Sequence, residues 1–232
     1  MNSPTPVPLD NEFIISFFRL RQALGYIGIA MPIVVKVGAY LIDKVPSNTS
    51  ISAYYYTSLR DVFVGCLAAI GVFLFCYRGP DKQDNWLTNI AGLCAIGIGL
   101  FPTEPTYHQV ILDRCPTVLD GPCYEKHLLG YHFYLAAAFF LIISYLAVFR
   151  FKKPSRTYIT KQKETRNKVY VVCGIAMFLS LIAIALIKLF SWQTSIFLPE
   201  AVAIVAFGIA WLTKGQAFLK DKDTDRIAAS AA

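Results

Sequence analysis

The chain has 232 residues, of which 56% are hydrophobic and 16% charged, and its net charge is +7. Soluble domains carry about 25% charged residues, and here the charges are gathered between long apolar runs, which excludes an ordinary soluble globule. The positive balance calls for no nucleic-acid partner, because most of the excess sits in one loop, "RFKKPSRTYITKQKETRNK".

Six runs predict six transmembrane helices: Leu24 to Ile42, Val62 to Tyr77, Trp86 to Phe101, Leu129 to Phe149, Val169 to Phe190 and Ile196 to Leu212. A spanning helix needs roughly 17–25 residues. The second and third runs are short and borrow flanking residues. Continuous rather than alternating hydropathy points to helices and away from a barrel. Before the first run, Glu12 to Gln22 reads as an interfacial lead-in helix. Asp10 and Glu12 interrupt the first 20 residues, so no cleavable signal peptide is expected. The expected fold is an all-α integral membrane bundle, one domain over residues 1–232. Residues 1–11 and about 221–232 are expected to be flexible tails.

Loop charge predicts orientation. One side receives Arg19, Arg21, Arg78, Lys82, the eight cations from Arg150 to Lys168, and Lys214, Lys220, Lys222 and Arg226. The other receives Lys44, Arg60, Arg114, Lys126 and Lys188. The positive-inside rule then places both termini in the cytoplasm and the protein in a plasma or inner membrane. Trp86 and Trp211 are expected at the inner interface; Tyr54, Tyr55, Tyr56 and Trp192 are expected at the outer one, as anchors. Cys66, Cys76, Cys94 and Cys173 read as small core residues. Cys115 and Cys123, in "CPTVLDGPC" on the outer side, predict a disulfide.

Unusual polar residues gather at the predicted outer end. They include Arg60 and Asp61 before the second run, Glu104 and His108 after the third, and His127 and His132 before the fourth. Glu200 lies just inside the sixth, and Lys36 lies within the first, about two turns from its outer end. Ionisable groups at membrane depth face a partner or a cavity. Lys36, Asp61 and Glu200 are thus either an ion pair locking three helices or, with His132, the wall of an outward pocket. Arg60, Glu104 and His127 complete the candidate set. A metal centre is weakly supported. His108, His127 and His132 would be its ligands and zinc its metal, but His127 and His132 are five apart and diverge around a helix. No cofactor is otherwise implied, and no motif sets the oligomeric state.

"PSNTSIS" after the first run, "GIGLFPTEP" closing the third and "HLLG" opening the fourth resemble the DRAM and Frag-type six-span membrane family, and more closely a bacterial branch of it. The likeness covers roughly Pro46 to Phe149 and departs at "HLLGY", where a small residue after the glycine is typical. It implies a six-helix bundle with cytoplasmic ends. Its eukaryotic members' links to lipid-anchor remodelling and membrane trafficking imply a lipid ligand, and it carries over no catalytic residue. Membrane hydrolases of the ceramidase and progestin-receptor type share Ser, Asp and His near one face, but this chain lacks their paired-His spacing and seventh span. Three functions therefore stand as expectations. The first is a pocket for a lipid headgroup or small amphiphile, with membrane lipids as partners. The second is an outer-leaflet metal-dependent hydrolase using Asp61 or Glu200 as base. The third is a structural or signalling subunit without a cavity.

Overall fold

Apolar and small residues recur at three- and four-residue spacing along the runs, and the runs fold as helices with those stripes turned inward. The computed structural model describes residues 12–45, 48–103, 130–153, 161–190, 192 and 194–219. Among them are six α-helices and no strand: α1 (Glu12–Asp43), α2 (Arg60–Cys76), α3 (Lys82–Leu100), α4 (Tyr131–Tyr145), α5 (Lys161–Leu189) and α6 (Phe197–Lys214). A π-helical turn, Leu146–Arg150, extends α4. A 3-10 turn, Ser52–Tyr56, stands between α1 and α2. The α1 stripe is Leu24, Met31, Val35 and Ala39; that of α2 is Phe63, Leu67, Ile70 and Leu74.

Among the described residues, four segments are long and apolar enough to cross a membrane: Ser16–Asp43, Tyr131–Arg150, Gln162–Leu189 and Phe197–Lys214. Their outward faces agree. Ile33, Val37, Leu41, Val172, Leu179 and Leu198 are all exposed, and so wide an apolar surface suits lipid and not water. Helices α2 and α3 have 17 and 19 residues.

Each helix packs against the next in sequence, and α6 returns along α1, so the six close into a ring. Two crossings are tight enough to require glycine. A Cβ on Gly25 would lie 2.7 Å from the Gly208 carbonyl oxygen, and one on Gly208 would lie 2.7 Å from that of Gly25. Gly71 and Gly92 oppose each other in the same way at the α2–α3 crossing, at 2.8 Å. Without side chains the backbones approach closely and gain dispersion contact along both helices. Between α4 and α5, Ser144 donates to the Gly174 carbonyl at 2.6 Å, which fixes their register.

The two ends of the ring differ in chemistry. At the basic end, Arg150 binds Asp84 and Asp81, and Lys153 also binds Asp81. These pairs join the start of α3 to the end of α4. Gln22 donates to the Gly215 carbonyl at 2.8 Å, tying α1 to the end of α6. The opposite end carries Glu200 and the α1–α2 loop.

Three expectations are corrected. The lead-in and first span are one continuous helix, because no breaker separates Gln22 from Leu24. Trp211 is not an interface anchor. It is fully buried, edge-on to Phe73, Tyr77 and Phe151. The three tyrosines are buried as well. Tyr56 donates to the Thr103 carbonyl at 2.6 Å, and Tyr54 accepts from the Asn48 N–H at 3.4 Å. Burial pushes the Tyr54 hydroxyl above its ordinary pKa, against the lesser pull of the Asn48 amide, so it stays a neutral phenol. Trp86 and Trp192 are exposed, as anchors would be.

Candidate functional site

The centre of the ring holds a cavity of about 460 Å³, with walls from all six helices. That volume lies within the range of small-molecule pockets, roughly 300–1,000 Å³. The wall is almost wholly apolar, with Met31, Leu67, Ile98, Phe139, Phe178 and Phe207 among its residues. Its charged, histidine and hydroxyl-bearing residues, Tyr134 apart, are Ser52, His132, Lys188 and Glu200. All four belong to segments that meet at the end of the ring opposite Arg150.

Glu200 sits in the first turn of α6, where the unpaired amides of a helix start favour a carboxylate. Pro199 beside it is tolerated there because first-turn amides have no intrahelical acceptor. The α1–α2 loop folds over this carboxylate. Ser50 Oγ lies 2.8 Å from both Glu200 oxygens, and the Ile51 N–H donates to Oε2 at 2.5 Å. Ser52 Oγ lies 2.7 Å from Ser50 Oγ. A consistent proton order runs from the Ser52 hydroxyl to Ser50 and from Ser50 to the carboxylate. The same loop is strapped to the α5–α6 turn, since the Thr49 carbonyl accepts from the Ile196 N–H at 2.8 Å and from the Ser195 hydroxyl at 2.9 Å.

His132 occupies the first turn of α4 and is buried. Its Nδ1 lies 2.9 Å from the carbonyl oxygen of Phe101, the residue that ends α3. A carbonyl can only accept, so Nδ1 carries a proton and the bond satisfies an otherwise orphaned helix-end acceptor. Lys188, near the end of α5, rests its ammonium 3.3 Å from the Phe133 ring centroid, a cation–π contact.

Of the residues expected in a pocket, His132 and Glu200 line the cavity. Lys36, Arg60 and Asp61 do not. All three are exposed on the helix surface. Lys36 lies 4.7 Å from the Phe197 ring centroid and makes no ion pair among the described residues. Arg60 stacks over Tyr55 at 4.7 Å. Glu104, His108 and His127 lie outside the described residues, as do Cys115 and Cys123. Among the described residues no three His, Cys, Asp or Glu side chains gather as a metal-binding group.

Sequence reasoning places Ser52 and Lys188 on the outer side but not among the pocket residues, and weighs Ser52 only as a weak hydrolase nucleophile. A signal for Lys188 was present. Leu181, Ile184, Ala185 and Lys188 follow the three-and-four spacing of one helix face, and all four line the cavity. The chain matches no protein-family profile, no curated protein and no solved structure.

Proposed function

We infer that the protein is a six-span membrane protein that binds a lipid-like amphiphile in the centre of its ring. The observation that carries this reading is the cavity's polarity. An apolar wall that can seat a hydrocarbon chain ends in one cluster of Ser52, His132, Lys188 and Glu200. An apolar space of this size gains nothing from water and is filled favourably by hydrocarbon. The polar end supplies a hydroxyl, an imidazole, an ammonium and a carboxylate for a headgroup. Tyr134, Leu141, Phe178 and Ile182 line the cavity and are also exposed, so the ligand enters between α4 and α5, from the side of the bilayer.

Helices α2 and α3 complete the six spans. At 1.5 Å per residue they reach roughly 26 and 28 Å, close to the hydrocarbon thickness of about 30 Å. Both expose apolar residues outward, Val62 and Val72 on α2 and Leu93 and Leu100 on α3. α1 begins and α6 ends at the end that carries Arg150, Lys153 and Lys163. That arrangement supports cytoplasmic termini and a cavity whose polar cluster faces the outer leaflet. A purely structural subunit has no use for such a cavity, which favours the binding reading.

The test is mass spectrometry of the lipid retained by detergent-purified protein through gel filtration. One class of amphiphile, near one per chain, is expected. Ala137→Trp places an indole in the cavity wall and is expected to abolish retention while the variant stays monodisperse. Equal retention by Ala137→Trp and the unmodified protein would sink the reading.

A further inference from the structure

We propose that the ligand of the central cavity is a single-chain lipid with an uncharged, hydroxyl-bearing headgroup; this rests on the amphiphile site proposed above and names its ligand class. Volume sets the number of chains. A cavity of about 460 Å³ holds roughly 15 groups of water size, at about 30 Å³ each. That is one alkyl chain with a small head, and the paired chains of a phospholipid exceed it. The α1–α2 loop covers the polar end. Its Ile51 and Ser52 line the cavity, while Ser50 and Ile51 hold Glu200. The head that fits beneath this loop is small.

Charge sets the kind of head. Lys188 and Glu200 are the charged groups among the described residues that line the cavity, and both are already engaged. The Lys188 ammonium lies 3.3 Å from the Phe133 ring centroid, and its charge acts on Glu200 and on His132. Glu200 is held by the Ser50 hydroxyl and the Ile51 amide. An anionic head would meet the Glu200 carboxylate, and a cationic head would meet the Lys188 ammonium, each after losing its water. An uncharged head incurs neither cost.

Hydrogen bonding sets the headgroup's chemistry, because the open positions at this end are acceptors. Ser50 gives its one hydroxyl proton to Glu200, so Ser52 gives its own to Ser50. The remaining lone pairs of Ser52 are open to a ligand in the cavity it lines. The Nδ1 proton of His132 lies on the Phe101 carbonyl. The carbonyls that act on this ring, of Phe101 and Ile98, can only accept, so neither satisfies the Nε2 lone pair of the neutral imidazole. Buried acceptors call for a donor. A hydroxyl supplies one, and an ether or ester does not. A long-chain alcohol and a monoacylglycerol both present this chemistry.

The experiment is photolabelling of the full chain in phosphatidylcholine nanodiscs by a long-chain alcohol with a diazirine in its tail, followed by peptide mapping. A matching diazirine fatty acid is the second probe. Competitors of equal chain length are the plain alcohol, its methyl ether, the amine, the carboxylic acid and the monoacylglycerol. The alcohol probe is expected to label cavity residues of α4 and α5 despite the excess of two-chain lipid. The plain alcohol is expected to displace it at roughly tenfold lower concentration than the ether, the effect of one hydrogen bond. It should also act below the acid and the amine. A monoacylglycerol that matches or betters the alcohol assigns the site to a glyceryl head, and a weaker one assigns it to the simple alcohol. Ser52→Ala is expected to narrow the gap between alcohol and ether; should that variant not fold, the gap in the unmodified chain decides. Equal displacement by alcohol and ether, stronger displacement by acid or amine, or a gap that folded Ser52→Ala and His132→Phe both keep in full overturns the headgroup assignment and leaves the amphiphile site standing. No cavity label from either probe overturns the proposal outright, and the lipid retained by the detergent-purified protein then separates a two-chain occupant from an empty site.

Discussion

Asp81, in the turn between α2 and α3, is bonded at once by Lys153 beyond the end of α4 and by Arg150 of the π-helical turn. The Lys153 hydrogen bond foremost, then the charges of both cations, hold the Asp81 carboxyl below its ordinary pKa of 3.8. The unfolded chain therefore takes up this proton first as the solution is acidified. The stability contributed is complete above the ordinary value and is lost as pH falls through the depressed one. Asp81→Asn is expected to flatten the acid limb of a Tm-against-pH curve by lowering Tm at neutral pH, where the pair contributes in full, and not at low pH; the drop is small, since the carboxyl is exposed and screened. Superimposable acid limbs would show that the pair contributes nothing.

Glu200 holds the α1–α2 loop on α6 through Ser50 and Ile51. Glu200→Ala strands both donors in a buried place and is expected to cost about 1–3 kcal/mol. Glu200→Gln keeps one acceptor oxygen and should cost less. Denaturant unfolding in detergent ranks the three proteins, and Ala equal to the unmodified chain would refute the clamp.

His132 is expected to tolerate Asn better than Phe. Phenylalanine fits the apolar surroundings but leaves the Phe101 carbonyl without its donor, a loss of about 1–3 kcal/mol. Asparagine brings an N–H to the same region. Identical Tm values for His132→Phe and the unmodified protein would show that the bond from Nδ1 has no stabilising role.

Gly25→Leu and Gly208→Leu each push a side chain into a carbonyl of the facing helix. Overpacking costs typically about 1–3 kcal/mol, and here the obstacle is backbone, which cannot rotate away. Both variants should lower Tm by more than Gly65→Leu, because nothing lies within 4 Å of a Cβ at Gly65. A larger loss at Gly65 would overturn the crossing argument.

Hydropathy reads the position of a helix along the chain well and the direction of its faces poorly, and that difference explains what was legible. The six runs all became helices, because an apolar stretch of that length has to satisfy its backbone internally. Lys36 was placed on the right helix and at the wrong azimuth. Val35 and Ala39 share the buried stripe of α1, and Lys36 falls beside it on the exposed face. Glu200 and His132 were found because a charge or imidazole at a helix start needs a partner. Ser50, Ser52 and Ile51 were not found in that role, because a loop hydroxyl or amide has no hydropathic signature. Trp211 and the tyrosine triplet were misplaced for a related reason. An amphipathic ring suits a membrane interface and a hydrogen-bonded core equally well.

The bond from Gln22 to the Gly215 carbonyl joins positions 193 residues apart. Among the described helices, the first to be made therefore finds its main partner in the last. Until Phe197 to Lys214 has been made, the glycine face of α1 lacks the helix it packs against here. Closure of the six described helices into a ring thus waits for α6, and a chain stalled before Phe197 leaves that ring open.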